Sequence, residues 1–301
     1  MPPPQHLTKD QKNTISYFSI TEDEMKIVLI TGTSSGFGLL SSIELAKRGY
    51  QVVATMRDLS KSTALKELAE RENVTGQIEI YQMDVTKEDE IRAVYVEVEK
   101  HFGKLDILIN NAGFALGGFL EEIPEEHWYQ QYETNIFGPI RVTKTFLPLL
   151  RKNNGGKIIN ISSISGYFGF PGLAPYTSSK HALEGFSESL RLELINDNIW
   201  VSLIEPAAFK TNIWEKGLAY LDLDKERPAI QKHLIAQVKS NITKSADPLE
   251  VVNVIIKICQ SNRPNLRYPV GKGAKLLYYV KHLLPWRMIE WSVRKRLQEK
   301  R

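Results

Sequence analysis

The chain of 301 residues has a single cysteine, Cys259, which rules out an internal disulfide and fits a reducing compartment. In VVNVIIKICQ it reads as a small buried apolar residue. No apolar run approaches the roughly eighteen residues of a membrane span, and the first residues lack a basic-then-apolar signal pattern. A cytoplasmic protein is expected. Charge of one sign is also scarce overall, at a net +4, but it is unevenly placed. From Arg263 to Arg301, eleven Lys and Arg face only Glu290 and Glu299, a surplus of +9, so the preceding 262 residues sum to −5. Basic residues confined to one end, with no recognised reading motif, do not make a nucleic-acid footprint. Neither nucleic acid nor a metal ion is an expected partner.

What is present is ordinary for a globular protein, 42% apolar and 25% charged residues, enough for a substantial core. Residues 1–24 mix three prolines with polar residues and show no amphipathic period, so a flexible leader is expected, with Met25 as an alternative start. From Lys26 the pattern changes. KIVLI reads as a strand, TGTSSGFG as a glycine turn and LLSSIELAKRG as a helix closed by Gly49. Strands at 50–56, 77–83, 105–113, 156–163 and 199–205 then alternate with helices, among them one long helix from Pro124 to Lys152 and another that carries YTSSK and runs to about Ile195. Short apolar strands alternating with amphipathic helices imply right-handed crossovers and a parallel sheet covered on both faces, a doubly wound α/β nucleotide-binding fold. One Rossmann-like domain, 25–270, is expected, followed by a basic amphipathic extension over 271–301.

In TGTSSGFG, Gly32, Gly36 and Gly38 are spaced GxxxGxG. Residues without Cβ let the backbone approach a pyrophosphate at a helix N-terminus, where free amides and the dipole favour anions. YTSSK carries the chemistry. A four-residue step turns a helix about 400° and rises about 6 Å, so Tyr176 and Lys180 share a face. A cation about 4 Å from a phenol, at an effective dielectric of about 20, favours the phenolate by up to about 4 kcal/mol, roughly three pKa units, before desolvation is subtracted. That would bring Tyr176 toward the range where general acid–base catalysis works best. Ser163, thirteen residues upstream, could donate a hydrogen bond to the same substrate oxygen.

TGTSSGFG, NNAG at Asn110 to Gly113, Asn135 in TNIFG, Ser163, YTSSK and EPAAFKT, in that order and with those separations, resemble the short-chain dehydrogenase/reductase family over about Lys26 to Val270. The resemblance implies a single-domain Rossmann-like enzyme that transfers hydride between a nicotinamide cofactor and a carbonyl or alcohol. It casts Tyr176 as the acid–base residue, Lys180 as its pKa-lowering partner, Ser163 as the substrate-oxygen donor and Asn135 as the residue holding a helix carbonyl and water in a proton relay. For the cofactor it implies Gly32, Ser34, Ser35, Gly36, Phe37 and Gly38 at the turn, Asp84 and Val85 near the adenine, and Asn110 beside the adenine ribose. Asn111, Ala112, Gly113, Tyr176 and Lys180 complete the cofactor surface, with Pro206 and Thr211 closing over the carboxamide. The family usually has Pro-Gly where this chain has Pro206-Ala207.

At the end of the second strand, ATMRD puts Met56 where an NAD enzyme needs a carboxylate, followed by Arg57. A guanidinium suits a 2′-phosphate, so NADP(H) is expected in preference to NAD(H). Residues 206–247 lose regular alternation, and the resemblance implies that such an insertion forms a substrate lid; Phe114, Leu116, Phe168, Phe170, Phe209 and Trp214 are candidates for an apolar pocket. The strand end and the tail look closest to the retinol and hydroxysteroid dehydrogenase-like branch, which implies a retinoid, steroid or other lipophilic carbonyl. Leu276, Leu277, Val280, Leu283 and Leu284 at helical spacing, with Trp286, Trp291 and a basic cluster, suit peripheral membrane contact through residues 274–301. The resemblance also implies a homodimer or tetramer through the helices carrying Asn135 and Tyr176. The competing readings are a catalytically silent nucleotide sensor and a membrane-associated interaction protein on the same fold.

Overall fold

The apolar run after Lys26 forms strand β1, Ile27–Thr31, buried along its whole length. Its alternate side chains feed two cores, as a strand covered on both faces requires. Val28 and Ile30 pack with Ile43, Leu45, Leu65, Ile255 and Cys259, whereas Ile27 and Leu29 pack with Ile91, Val98, Phe146, Leu150 and Leu190. Each such side chain, fully buried, contributes about 1.5–3 kcal/mol. Cys259 is buried as its sequence context suggests, and burial pushes its thiol up to about 12. The computed structural model describes residues 25–211, 226–228, 231–232, 235–236 and 245–298. The expected leader, most of the expected lid, Trp214 and the last three residues lie outside the described residues.

The remaining elements follow in order: α1 Gly36–Ala46, β2 Gln51–Met56, α2 Thr63–Arg71, β3 Ile78–Gln82, α3 Glu88–Phe102, β4 Ile107–Asn110, α4 Glu125–Tyr132, α5 Gly138–Lys152, β5 Gly156–Ile161, α6 Ala174–Glu193, β6 Ile199–Pro206, α7 Leu249–Gln260, β7 Arg267–Val270, α8 Ala274–Leu283 and α9 Trp286–Gln298. All seven strands are parallel, in the order β3-β2-β1-β4-β5-β6-β7. The direction of winding reverses between β1 and β4, where folds of this type bind ligands beyond the carboxyl ends of the strands.

Three departures from the sequence reading have local causes. The long helix expected over 124–152 is interrupted by a wide π turn at Glu133–Phe137, closed by the amide of Gly138 on the carbonyl of Glu133. Pro139 has no amide to give the carbonyl of Asn135, so a regular ladder cannot pass this point. The RYPV segment adds the unexpected strand β7, whose Pro269 is tolerated because β7 lies at the sheet edge. The tail is two helices, broken at Leu284 and Pro285.

Candidate active site

The turn between β1 and α1 is shaped by missing side chains. Gly32 and Gly36 have φ of +72° and +58°, a region that favours glycine. A methyl on Gly38 would sit 2.4 Å from the Gly32 carbonyl oxygen and 2.5 Å from Asn111 Nδ2, and one on Gly32 would sit 2.8 Å from Ala112 Cα. Ser35 precedes α1 without a side-chain cap, so the first amides of the helix have no partner within it. A cradle that a Cβ would fill, at the positive end of an eleven-residue helix, fits a dinucleotide pyrophosphate. Thr211 comes within van der Waals reach of Gly36, bringing the segment after β6 over the same turn. The Phe37 ring instead meets Phe209 edge-on at 5.9 Å, so only its backbone faces the cradle.

Around this turn the structure separates two asparagines that the sequence treated together. Asn111 Nδ2 donates to the carbonyls of Thr31 at 2.8 Å and Gly32 at 3.0 Å, and the amides of Asn111 and Ala112 both donate to Thr31 Oγ1 at 2.9 Å. The Asn110 side chain turns the other way: it is buried, and its Nδ2 donates to Asn160 Oδ1 at 2.8 Å and Thr143 Oγ1 at 3.1 Å. It is therefore a buried brace between β4, β5 and α5, not a group beside a ribose. Asp84 Oδ1 accepts from the amide and hydroxyl of Thr86 at 2.9 and 2.8 Å, closing a turn at the end of β3. Val85 is buried against Gly138. Arg57 is exposed at the end of β2, while Asp58 accepts from the amide and hydroxyl of Ser60 and pairs with Lys61 at 3.6 Å.

Asn135 sits on the π turn. Its Oδ1 accepts from the Phe114 amide at 3.2 Å, and its Nδ2 donates to the Phe114 carbonyl at 3.0 Å and to Ser179 Oγ at 3.3 Å. Gly113 has room for no more than a tight contact with it, a methyl there lying 3.1 Å from Oδ1. The Asn135 side chain thus joins the loop after β4 to α6, rather than holding a helix carbonyl as the resemblance implied. Gln131, one turn earlier and fully buried, grips the same loop, accepting from the Leu116 amide at 2.7 Å and donating to the Phe114 carbonyl at 2.8 Å. Nothing in its sequence context singled it out, but a glutamine four residues before a motif asparagine on a helix face was the available signal.

Tyr176, Lys180 and Ser163 do come together. All three are buried, the Ser163 side chain hydrogen-bonds the Tyr176 hydroxyl, and Lys180 Nζ lies 5.7 Å from the centre of the Tyr176 ring. The electrostatics differ from the expectation of an acidified phenol. Burial pushes Tyr176 up to about 12, opposed only by the Ser163 hydrogen bond, and burial lowers Lys180 to about 8. Lys180 Nζ donates to the Ile161 carbonyl at 2.8 Å. Desolvation therefore outweighs the cation here.

On the substrate side, Phe168 stacks near Phe170 at 5.3 Å and Trp286 of α9 at 6.5 Å, and Tyr167 meets Tyr278 of α8 at 5.4 Å. The tail therefore lies over the loop that follows Ser163. Leu116 and Phe209 are buried, Phe209 in the core on the β1–α1 side. From the expected lid, Arg227 ion-pairs with Glu122 and lies 5.7 Å over the Phe119 ring. Behind the site is a cluster that the sequence reading missed: Glu184 of α6, Glu205 of β6 and Arg267 of β7, with Ser162 donating to Glu184. A cavity of about 440 Å³ lined by Lys26, Asp106, Lys157, Trp200 and Arg263 lies at the amino ends of the strands, at the wrong edge of the sheet for this chemistry.

Comparisons with known proteins agree with this geometry. The sequence profile described as short chain dehydrogenase matches residues 26–219. The chain is 47% identical to the uncharacterized oxidoreductase YusZ of Bacillus subtilis, over 90% of this chain and 98% of that one. It is 36% identical to human retinol dehydrogenase 8, covering 80% of each. Among solved structures, a phenylalanine-to-tryptophan variant of actinorhodin polyketide ketoreductase with NADPH superposes with a TM-score of 0.71 at 28% identity, over 84% of this chain and 98% of that one. With a seven-stranded parallel sheet, a glycine cradle at its switch point and a profile match over most of the domain, the chain is an oxidoreductase belonging to the short-chain dehydrogenase family.

Proposed function

We propose that this chain reduces a lipophilic ketone or aldehyde with NADPH, with alcohol oxidation as the reverse reaction. The observation that carries the reading is the buried Tyr176 hydroxyl, bonded to Ser163 and one helical turn from Lys180. When bound, the nicotinamide dinucleotide supplies the hydride. Gly32, Ser34, Ser35, Gly36, Phe37 and Gly38 would hold its pyrophosphate through backbone amides, Asp84, Val85, Asn111, Ala112 and Gly113 would line its adenosine side, Arg57 would meet the 2′-phosphate, and Pro206 and Thr211 would close over the carboxamide. Ser163 orients the substrate oxygen by hydrogen bonding, and Tyr176 gives it a proton. A phenol held at about 12 enters the reaction protonated, which is the state a reductase needs. Lys180, at about 8, is mostly cationic at neutral pH and stabilises the phenolate that remains.

Support for the substrate class comes from the aromatic contacts of Phe168, Phe170 and Trp286, and from relatives named for retinol and a polyketide ketone. The test is NADPH consumption with decanal, retinal and a ketosteroid. Tyr176→Phe is expected to lower kcat by about 10³-fold while leaving the NADPH Kd unchanged. Equal turnover by Tyr176→Phe would refute the mechanism, and wild-type protein that binds NADPH but turns over none of these compounds would favour the silent nucleotide sensor.

The same reading includes a homodimer or tetramer through the helical stretch carrying Asn135 and through α6, which carries Tyr176; a monomeric mass by light scattering would remove it. It also includes peripheral membrane contact through residues 274–301. Leu276, Tyr279 and Leu283 share one face of α8 and are 69%, 59% and 74% exposed, Trp286 and Trp291 are exposed beside Lys281 and Lys295, and among the described residues no helix is long and apolar enough to cross a membrane. Co-sedimentation with phosphatidylglycerol vesicles should fall on removal of residues 274–301, and equal partition would end that part of the reading.

A further inference from the structure

Three consecutive residues at the carboxyl end of β5 are each tied to α6. The Ile161 carbonyl accepts from Lys180 Nζ at 2.8 Å, Ser162 Oγ donates to Glu184, and Ser163 hydrogen-bonds Tyr176. The α6 partners recur every four residues, 176, 180 and 184, which places them on one slowly drifting stripe of the helix. The first and last ties lie within the machinery already assigned. The middle one belongs to a different structure: Arg267 at the start of β7 donates to Glu184, to Glu205 Oε1 at 2.7 Å and to Glu188 at 2.5 Å. One guanidinium therefore joins β7, β6 and two turns of α6.

This clamp has no slack toward Ser163. A methyl on Gly166 would lie 2.7 Å from both Glu184 Oε1 and Ser162 Oγ, so the short turn Ile164–Gly166 rests directly on the pair. Ser163 begins that turn, its Oγ accepting from the Ser165 amide at 3.1 Å. Any displacement of the Glu184 carboxylate is thereby passed to the backbone that aims the Ser163 hydroxyl. Stability is a weak reason to keep such a cluster. Two of its carboxylates are 5% and 0% exposed, Glu205 Oε2 has no hydrogen-bond partner, and apolar side chains of similar volume often replace buried ion clusters without loss of stability.

We propose that Glu184 and Arg267 are positioning residues for the Ser163–Tyr176 pair, holding the end of β5 in register with α6 through Ser162. The proposal rests on the reductase reading, and its test is arranged to fail separately. In the full-length protein, with NADPH and whichever of decanal, retinal or ketosteroid turns over, Glu184→Leu is expected to fold with a lowered thermal midpoint, because Arg267 loses a buried partner, to keep its NADPH Kd within about twofold, and to lose kcat by about tenfold to a hundredfold, the scale on which misplacement of about 1 Å acts. Glu184→Gln, which retains an acceptor for Ser162, is expected to recover most of that loss. Arg267→Met removes the clamp but leaves the acceptor, and should lower kcat at least about fivefold with the NADPH Kd held. It carries the test if Glu184→Leu does not fold. A kcat within twofold of wild type in a folded Glu184→Leu or in Arg267→Met, NADPH affinity falling in step with kcat, or no recovery in Glu184→Gln would each overturn the positioning role. Wild-type turnover that does not depend on Tyr176 would instead overturn the reductase reading, and the positioning role with it.

Discussion

The two sides of the site are built by opposite means. Between β1 and α1 the geometry depends on atoms that are absent: Gly38 brings backbone within a distance that any Cβ would block, and Gly32 and Gly36 take positive φ. Between β5 and α6 it depends on side chains that are present: Lys180, Glu184 and Tyr176 each grip one residue of the strand end, and Arg267 grips Glu184 from behind. Addition should damage the first side and removal the second. The contrast follows from the tasks. On the proposed function, a pyrophosphate needs backbone amides and close approach, whereas a proton donor needs a fixed direction.

The sharpest way to break this comparison is on the glycine side. Gly38→Ala must displace backbone or Asn111, at the 1–3 kcal/mol typical of overpacking, so NADPH binding should weaken about tenfold to a hundredfold, read by fluorescence titration. Gly76→Ala, where nothing lies within 4 Å, is the silent control. Wild-type affinity in Gly38→Ala would show that the cradle is elsewhere. A smaller effect is expected at the rim: Arg57→Ala should raise the NADPH Kd about tenfold, near the lower end of what a charged hydrogen bond is worth, and leave NADH unchanged. An unaltered preference between the two cofactors would remove Arg57 from the phosphate site.

The smallest effect concerns the side-chain half and is read as a slope. Glu184, Glu188 and Glu205 share one guanidinium, so burial dominates at Glu205 and raises its carboxyl from 4.5 to about 8. Between those values the folded chain keeps a proton that the unfolded chain has released. This contribution to stability is complete below about pH 4.5 and is lost as pH rises through about 8. Glu205→Gln removes it, so its thermal midpoint should decline less than that of wild type between pH 5 and 8. Parallel pH profiles for the two proteins would show that Glu205 is ionised throughout.

Much of the nucleotide side was legible because local rules govern it. A β-branched run, a glycine turn and a helical period are each properties of adjacent residues, and the structure places Gly32, Gly36, Gly38, Asn111 and Thr211 around one turn. Ser163, Tyr176 and Lys180 were found by spacing and by resemblance, but their proton affinities were not. The expected lowering of the phenol considered one neighbouring charge, whereas the folded chain buries both groups and turns Lys180 to a carbonyl. Asn110 and Asn111 are adjacent in sequence and alternate in direction at a strand end, so only the sheet told the brace from the cofactor side.

The alternation of strands and helices as far as β6, the glycine cradle and the Tyr176–Lys180 stripe were determined by the sequence alone, since each depends on periods of two or four residues or on a residue's own backbone freedom. Tertiary structure alone decided the burial that sets the Tyr176 and Lys180 proton affinities, and the meeting of Ser162, Glu184, Glu205 and Arg267. Those four residues come from three strands or their ends and one helix, up to 105 positions apart from Ser162 to Arg267. Desolvation and long-range charge depend on what the whole chain packs around a group, and no local pattern carries that information.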